Sequence, residues 1–351
     1  MRALVMREHG DLSVLALVDR PLPSLERPGD VRVSLKAAAL NHLDLWTLRG
    51  LPGLTLDMPH VLGGDGAGVV EEVGEDVSTV AVGDRVLLNP GVSCHRCDYC
   101  RAGEHSLCVR YQLLGEHLPG TLCESIVVPE ANVVPIPETP PGAAPVDWTE
   151  AAAFSLVTLT AWRMLVTRAG LRPGETVLIW GVGGGVAGAA LQIVKLTGAV
   201  AIVTSSQDAK LAVAREMGAD FTLNHAEVDV AREIRRITDR RGVDVVVDNV
   251  GEATWEASLR SLAKLGRLVT CGGTSGPHVV TDVRRLFWNQ YRIMGSTMGN
   301  MAEFREIVAL LGQGHLRPRV DSVTPLSRGI EAFRRLDSGD QMGKLVVSIR
   351  D

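Results

Sequence analysis

The sequence predicts a two-domain α/β protein, a β-rich domain joined to a doubly wound parallel sheet. Three observations carry this. Between Thr176 and Thr297, near-continuous Val/Ile/Leu runs alternate with segments of helical period, the pattern of parallel strands covered on both faces. Residues 1–90 instead give short strands bounded by Gly, Pro and Asp. The chain has 351 residues, enough for about two domains.

In chain order, RALVM (2–6), VLALVD (14–19) and VRVSLKAAAL (31–40) read as strands, the last entered through the turn Pro28-Gly29-Asp30. His42–Arg49 reads as a helix. GAGVVEEVG (66–74) and GDRVLLN (83–89) read as further strands, and a cysteine-rich loop follows them. The stretch from Pro135 to Pro145 carries five prolines and is the candidate linker. Beyond it come the strands TVLIWG (176–181), AVAIVTS (199–205), FTLNH (221–225), VDVVVDNVG (243–251), GRLVTCGG (266–273) and YRIMGST (291–297). The helices AALQIVKLTG (189–198), KLAVAREMGA (210–219) and DVAREIRRIT (229–238) lie between them. The last fifty residues return to helix, with RGIEAFRRLDSG (328–339) before a final strand, GKLVVSI (343–349).

Composition narrows the function. The chain is 46% hydrophobic and 22% charged with a net charge of −5, so nothing favours nucleic acid or an anionic membrane as partner. The first eleven residues carry Arg2, Arg7, Glu8 and Asp11 and no apolar signal-peptide core. The most apolar stretch, Ala151 to Val166, is cut by Arg163 and is shorter than the ~20 residues of a membrane helix. The expectation is a cytoplasmic protein. Glycine is in excess, 37 of 351 residues against a typical ~7%, which suits close backbone approach to a nucleotide.

That excess concentrates in one loop. TVLIWG runs into Gly181-Val182-Gly183-Gly184-Gly185-Val186-Ala187-Gly188 and then a helix. Gly183, Gly185 and Gly188 meet the GxGxxG spacing, and the strand–loop–helix context makes it a dinucleotide fingerprint. Gly183, Gly184, Gly185 and Val186 are the expected pyrophosphate contacts. The next strand ends in Thr204-Ser205-Ser206-Gln207, where an NAD site would place a carboxylate to accept from the ribose 2′-hydroxyl. A carboxylate would repel a 2′-phosphate; hydroxyls and a cation would not. The expectation is NADP(H), with Ser205, Ser206, Lys210 and His225 about the phosphate. The alternatives are that Asp208 reaches back to the ribose, or that both cofactors bind; separately, His225 after FTLN also reads as a plain surface residue.

The second motif is Cys94-x2-Cys97-x2-Cys100-x7-Cys108. Four thiolates in a short polar loop suit a closed tetrahedral zinc site. A ferredoxin-type cluster would have a last gap of three residues and then proline, whereas here the gap is seven and Val109 follows. With all four positions taken by sulfur, the expected single zinc is structural, and His95 and His105 are expected to be solvated.

With these motifs in this order the chain resembles the medium-chain dehydrogenase/reductase superfamily, which holds zinc alcohol dehydrogenases and quinone oxidoreductases. KAAALNHLD, GVVEEVG, VGDRV, LTAW and the late GKLVV are further points of likeness. The resemblance implies a GroES-like domain over 1–148 and 300–351 with the zinc lobe at 90–117, and a Rossmann domain over 149–299. It also implies a homodimer or homotetramer, paired through the strand at YRIMGST.

The departures from that family concern chemistry. Zinc-dependent members have cysteine at the position of Asn41, histidine at Gly64, and cysteine or an acid near Leu156; the family's Gly-His-Glu reads Gly63-Gly64-Asp65 here. Leu43 replaces a proton-relaying hydroxyl. Structural zinc is thus expected without catalytic zinc, unless His42, Asp44, His60 and Asp65 rebuild a metal site. Zinc-free members carry Asn and Asp at positions 41 and 44. By that resemblance the catalytic residues are Asn41, Asp44 and Asp65, with the Asn41 amide donating to a substrate oxygen and Asp44 orienting neighbours. Thr160 would contact the nicotinamide carboxamide, Gly272, Gly273, Ser296 and Thr297 would line the cofactor cleft, and Lys344 would reach the cofactor or stay solvated. Trp46, Leu51, Leu113 and Trp288 are candidate pocket residues. The expected reaction is hydride transfer from NADPH to a quinone or conjugated enone. An alcohol or aldehyde dehydrogenase and a non-catalytic NADPH sensor are the alternatives.

Overall fold

A computed structural model describes residues 1–349, which form two compact units: Met1–Val157 with the segment from Gly299 onward, and Thr158–Met298. The helix Trp148–Trp162 carries the chain from the first to the second, so the division falls inside a helix rather than at its start, near 148. It continues as a π-helical segment, Arg163–Arg168. No helix among the described residues is long and apolar enough to cross a membrane.

The first unit is built on one long strand, Asp30–Ala39, whose apolar residues face both ways. It pairs antiparallel with Asp65–Val73 along one edge. Its other edge is shared, Ser125–Pro129 taking the first half and Lys344–Ser348 the second. The sheet is extended by Arg85–Leu88 and Val133–Pro135 at one end. At the other end Val320–Pro325 runs parallel to Lys344–Ser348, a strand absent from the sequence reading because its alternation is broken by Asp321 and Pro325. A smaller sheet joins Leu15–Asp19, Arg2–Met6 and His60–Val61. Leu4, Met6, Leu35, Leu40 and Phe333 are among the fully or nearly fully buried side chains of this unit's core. Burial of each such side chain contributes ~1.5–3 kcal/mol.

The register of the long strand places chemistry. Ala39 lies opposite Asp65 on one side and Val346 on the other. The chain then leaves the strand at Leu40 and starts the helix His42–Arg49, the span read from sequence. Asn41, Asp65 and Lys344, far apart in sequence, therefore meet at one end of the sheet.

The second unit is a six-stranded parallel sheet: β1 (Thr176–Ile179), β2 (Val200–Ser205), β3 (Phe221–Asn224), β4 (Val243–Asp248), β5 (Leu262–Thr270) and β6 (Arg292–Gly295). The order across the sheet is β3-β2-β1-β4-β5-β6, that of two mononucleotide-binding halves meeting at β1 and β4. Ligands of such sheets bind outside the carboxyl ends of the strands, where the order reverses. β5 starts four residues earlier than GRLVT suggests, with Leu265 at φ 63° and largely exposed. A register shift against β4 lets this irregular start join the sheet.

Candidate active site and zinc lobe

The glycine loop joins β1 to the helix Gly185–Leu196, with Gly184 as its N-cap. A glycine cap has no side-chain oxygen, so the first-turn N–H groups of this twelve-residue helix have no side-chain cap. Gly181 sits at φ 68°, a turn that favours glycine. A Cβ built on Gly181 or Gly188 would meet nothing within 4 Å, so these glycines leave open space instead of relieving a clash within the protein. Unpaired N–H groups facing open space are what a pyrophosphate needs. At the carboxyl ends of β4 and β6, Asn249 Oδ1 and Ser296 Oγ are buried polar atoms without a partner. The donor set and the orphaned atoms fit a nicotinamide dinucleotide.

The other cofactor-facing expectations fall around this edge. Gly272 and Gly273 follow β5 in a loop stitched to residues 249–251, Ser275 N donating to Val250 O at 2.8 Å. Thr297 is exposed beyond β6. Thr160 is buried, its hydroxyl donating to Met298 Sδ at 3.6 Å. At the tip of β2, Ser205 is buried and its Oγ accepts from Gln207 N at 3.1 Å, while Ser206 is exposed. Lys210 is 9% exposed, more buried than a free phosphate contact would be. His225 is exposed, its ring 6.0 Å from that of Trp180. Asp208 is held by Asn224 Nδ2 at 3.0 Å.

In the first unit the three positions expected to have lost metal ligands are brought together. A Cβ on Gly64 would lie 3.3 Å from Leu156 Cδ1, so a histidine there would displace that leucine. Leu156 N donates to Asp65 Oδ1 at 2.8 Å, and Asn41 Nδ2 donates to Asp65 Oδ2 at 2.9 Å. Gly63, at φ 101°, has Thr121 Oγ1 2.7 Å from where a Cβ would be, so only glycine fits. Asp44 accepts from Asn41 N at 2.7 Å and Gly63 N at 2.9 Å, the third helical residue reaching back to cap its own helix. Burial pushes the Asp44 carboxyl up to about 6, against those two N–H bonds and the Lys344 charge. Its place is to hold the strand end and the Gly63 turn.

Lys344 departs from expectation. It is 4% exposed and its ammonium is fully engaged, with Leu40 O at 2.8 Å, Asn41 Oδ1 at 2.6 Å and Asp65 Oδ2 at 2.9 Å. Neither solvent nor a cofactor phosphate takes its N–H donors. The sequence signal for this was only a lysine at a strand start; the partners come from strand register. Because an ammonium only donates, the oxygen of the Asn41 amide must face it. One Asn41 hydrogen is then fixed on Asp65, and the second has a long contact of 3.5 Å with Ala39 O. A single hydrogen, not the pair, then lies outside the ion-pair network.

The rebuilt metal site does not assemble. His42 is exposed and packs edge-on to Trp46, and His60 Nε2 lies 3.3 Å from Gly115 O. Of the pocket candidates, Leu113 is buried in a two-residue strand and Trp288 is 77% exposed on the helix Val283–Asn289. Among the described residues only Cys94, Cys97, Cys100 and Cys108 gather as a metal-ligand group, their sulfurs within 4.8 Å of one another. Cys97 and Cys100 are 3.6 Å apart, close to the ~3.8 Å edge of a tetrahedron with ~2.3 Å zinc–sulfur bonds. Backbone N–H groups of Arg96 and Cys97 hold the Cys94 thiol down to about 6, whereas burial pushes Cys100 up to about 12. A divalent cation at the centre makes four thiolates compatible. His95 and His105 pack ring to ring at 5.3 Å and stay outside the sulfur set.

Two family models match the chain. A family described as zinc-binding dehydrogenase matches residues 185–313, and one described as alcohol dehydrogenase GroES-like domain matches residues 27–138. The chain is 32% identical to an NAD-dependent alcohol dehydrogenase of Sulfurisphaera tokodaii and 31% identical to one of Saccharolobus solfataricus, each match covering 99% of both chains. It is 44% identical to a solved structure of an NAD-dependent alcohol dehydrogenase, with a TM-score of 0.94 over 100% of both chains.

Proposed function

The chain belongs to the zinc-containing medium-chain dehydrogenase/reductase superfamily, as a GroES-like domain with a Rossmann domain, and from that premise we propose that it is an NADPH-dependent reductase of quinones or conjugated enones. It is an oxidoreductase of a small molecule. One observation carries the finer reading: the amide, the glycine and the leucine at positions 41, 64 and 156 meet at Asp65 and offer no Cys/His/acid set for a catalytic zinc. A metal Lewis acid lowers the pKa of an alcohol for oxidation, whereas a conjugated carbonyl, already polarised, accepts hydride without one.

When bound, the nicotinamide would supply a hydride to the β-carbon of the substrate. The glycine loop and its helix N-terminus bind the pyrophosphate, and the strand ends orient the ring. Asn41 offers its one available N–H to the substrate oxygen as negative charge gathers there. A proton from water completes the reduction. The structural zinc lies in its own lobe and takes no part.

The test is a substrate panel: NADPH oxidation with enones, quinones and aldehydes, and NADP reduction with alcohols. Turnover of an enone or quinone that resists chelators is expected. Faster, chelator-sensitive oxidation of simple alcohols would overturn the reading in favour of the relatives' named activity. NADP(H) preference is supported by the acid-free tip of β2 and by Asp208 being held on Asn224. Ser205→Asp is expected to move the NADPH-to-NADH ratio of kcat/KM at least about tenfold toward NADH, the effect of ~1.4 kcal/mol at the ribose. An unchanged ratio would reject the assignment of this pocket.

A homodimer is part of the proposal. β6 is an edge strand, and beside it in sequence Val280, Val283, Phe287 and Trp288 are 62–92% exposed. An apolar edge of this kind is ordinarily covered. Light scattering on the wild type and on Trp288→Glu checks it.

A further inference from the structure

Two buried carboxylates, Asp44 and Asp65, converge at the end of the strand Asp30–Ala39, and Lys344 is the one cation hydrogen-bonded there among the described residues. Its three N–H donors meet three acceptors, and Asp65, with no exposed surface, accepts from Lys344, Asn41 and the Leu156 amide. A buried ion pair is weak evidence for stability, since well-packed apolar residues often serve as well. Its distinct effect is geometric. The ammonium forces the Asn41 oxygen inward, and only in that orientation does the amide nitrogen turn to Asp65 and keep its remaining hydrogen.

We propose that Lys344 is a positioning residue: a cation carried by the chain itself, standing where residues 41, 64 and 156 meet, that fixes the Asn41 amide in its donating orientation. The proposal rests on the reading of Asn41 as the group that meets the substrate oxygen. With all three hydrogens engaged, Lys344 contacts no substrate. It supplies positive charge without an open coordination position, so it offers no Lewis-acid chemistry.

The test uses the full chain with Lys344→Met and with Lys344→Met/Asp65→Asn. Lys344→Met leaves a buried carboxylate without its cation and is expected to lower the denaturation midpoint sharply. The double variant removes both charges and is expected to regain most of that loss. Equal stability of the two variants would show that the charges do not compensate each other, and would overturn the proposal.

The double variant then separates positioning from structure. It is expected to bind NADPH within about twofold of wild type, with kcat lowered on the order of a hundredfold and substrate KM little changed, as for a misplaced donor. Wild-type kcat in a folded double variant would overturn the proposal. A second readout needs no turnover. In protein labelled with ¹⁵N-asparagine, the Asn41 side-chain amide, identified by its loss in Asn41→Ser, is expected to give two shifts set well apart, the hydrogen held on Asp65 exchanging slowly. In the double variant the two shifts should draw together toward those of a free side-chain amide, staying distinct because C–N rotation is slow, and exchange should be fast. Unchanged resonances would overturn the proposal even if no panel substrate turns over, which is the separate failure of the functional reading.

Discussion

Replacing Cys97 by serine is expected to release the zinc and unfold the lobe around it. The segment from Gly91 to Leu113 has almost no core to fall back on. It holds one pair of two-residue strands, a four-residue helix and a three-residue 3₁₀ turn, while Tyr99 is 50%, Leu107 49% and Val109 70% exposed. What order it has comes from the sulfurs, two of whose neighbours, Cys94 N and Arg110 N, donate to Cys108 Sγ at 3.3 Å. Structural zinc binding in comparable loops is worth ~10–16 kcal/mol, and most of that is folding free energy of the loop. Wild-type protein should carry one zinc per chain by mass spectrometry of metals, and Cys97→Ser none. The melting temperature should fall on the order of 10 °C, with new proteolytic cleavage confined to the lobe. Two tightly held zincs in the wild type would contradict both the lobe as sole site and the loss of the catalytic ligands.

Asp248→Ala should be the most damaging single change in the Rossmann unit. Asp248 ends β4 with no exposed surface and accepts from Val250 N at 2.9 Å, Gly251 N at 3.0 Å, Thr254 Oγ1 at 2.9 Å and Ser258 Oγ at 2.6 Å. Ser258 in turn accepts from Trp180 Nε1 at 2.8 Å, which ties β1 to the same carboxylate. Truncation takes the acceptor from the Val250 and Gly251 N–H groups and from the Ser258 hydroxyl, leaves Thr254 Oγ1 only Gly251 O at 3.3 Å, and opens a hole beneath the turn. A cost of ~3–5 kcal/mol follows. The turn 249–251 also presents Asn249 to the strand-end edge, so nucleotide affinity should fall with stability. Denaturant unfolding and NADPH fluorescence titration measure the two. Asp248→Asn keeps the shape and two acceptor lone pairs and should lose less on both; equal loss would mean that packing, not hydrogen bonding, sets the cost.

How much of this was legible in the sequence depended on the range of the interactions. The parallel sheet, its glycine loop and the four-cysteine lobe are local patterns, so period and spacing revealed them. The span His42–Arg49 was readable because its cap and its acid lie within four residues. The ion pair Lys344–Asp65 was not, because its partners are 279 residues apart and meet only through strand pairing. A lysine preceding a strand reads as solvated unless that pairing is known. Trp288 failed for the opposite reason: an aromatic next to apolar residues reads as buried, and nothing local tells that its helix lies outside the sheet.

The same distance has a meaning in time. Asp65 and Lys344 are separated by 279 residues of synthesis, roughly 15–55 s at ~5–20 residues per second. Throughout that interval the nascent chain holds a carboxylate destined for burial whose native partner has not yet been made. The strand that brings the lysine also joins Val320–Pro325 to the rest of the sheet. The nucleotide-binding unit, Thr158–Met298, is contiguous and emerges whole during the wait. Synthesis thus completes the cofactor-binding half first and leaves the buried Asp65–Lys344 pair of the other half to form only when the strand Lys344–Ser348 arrives.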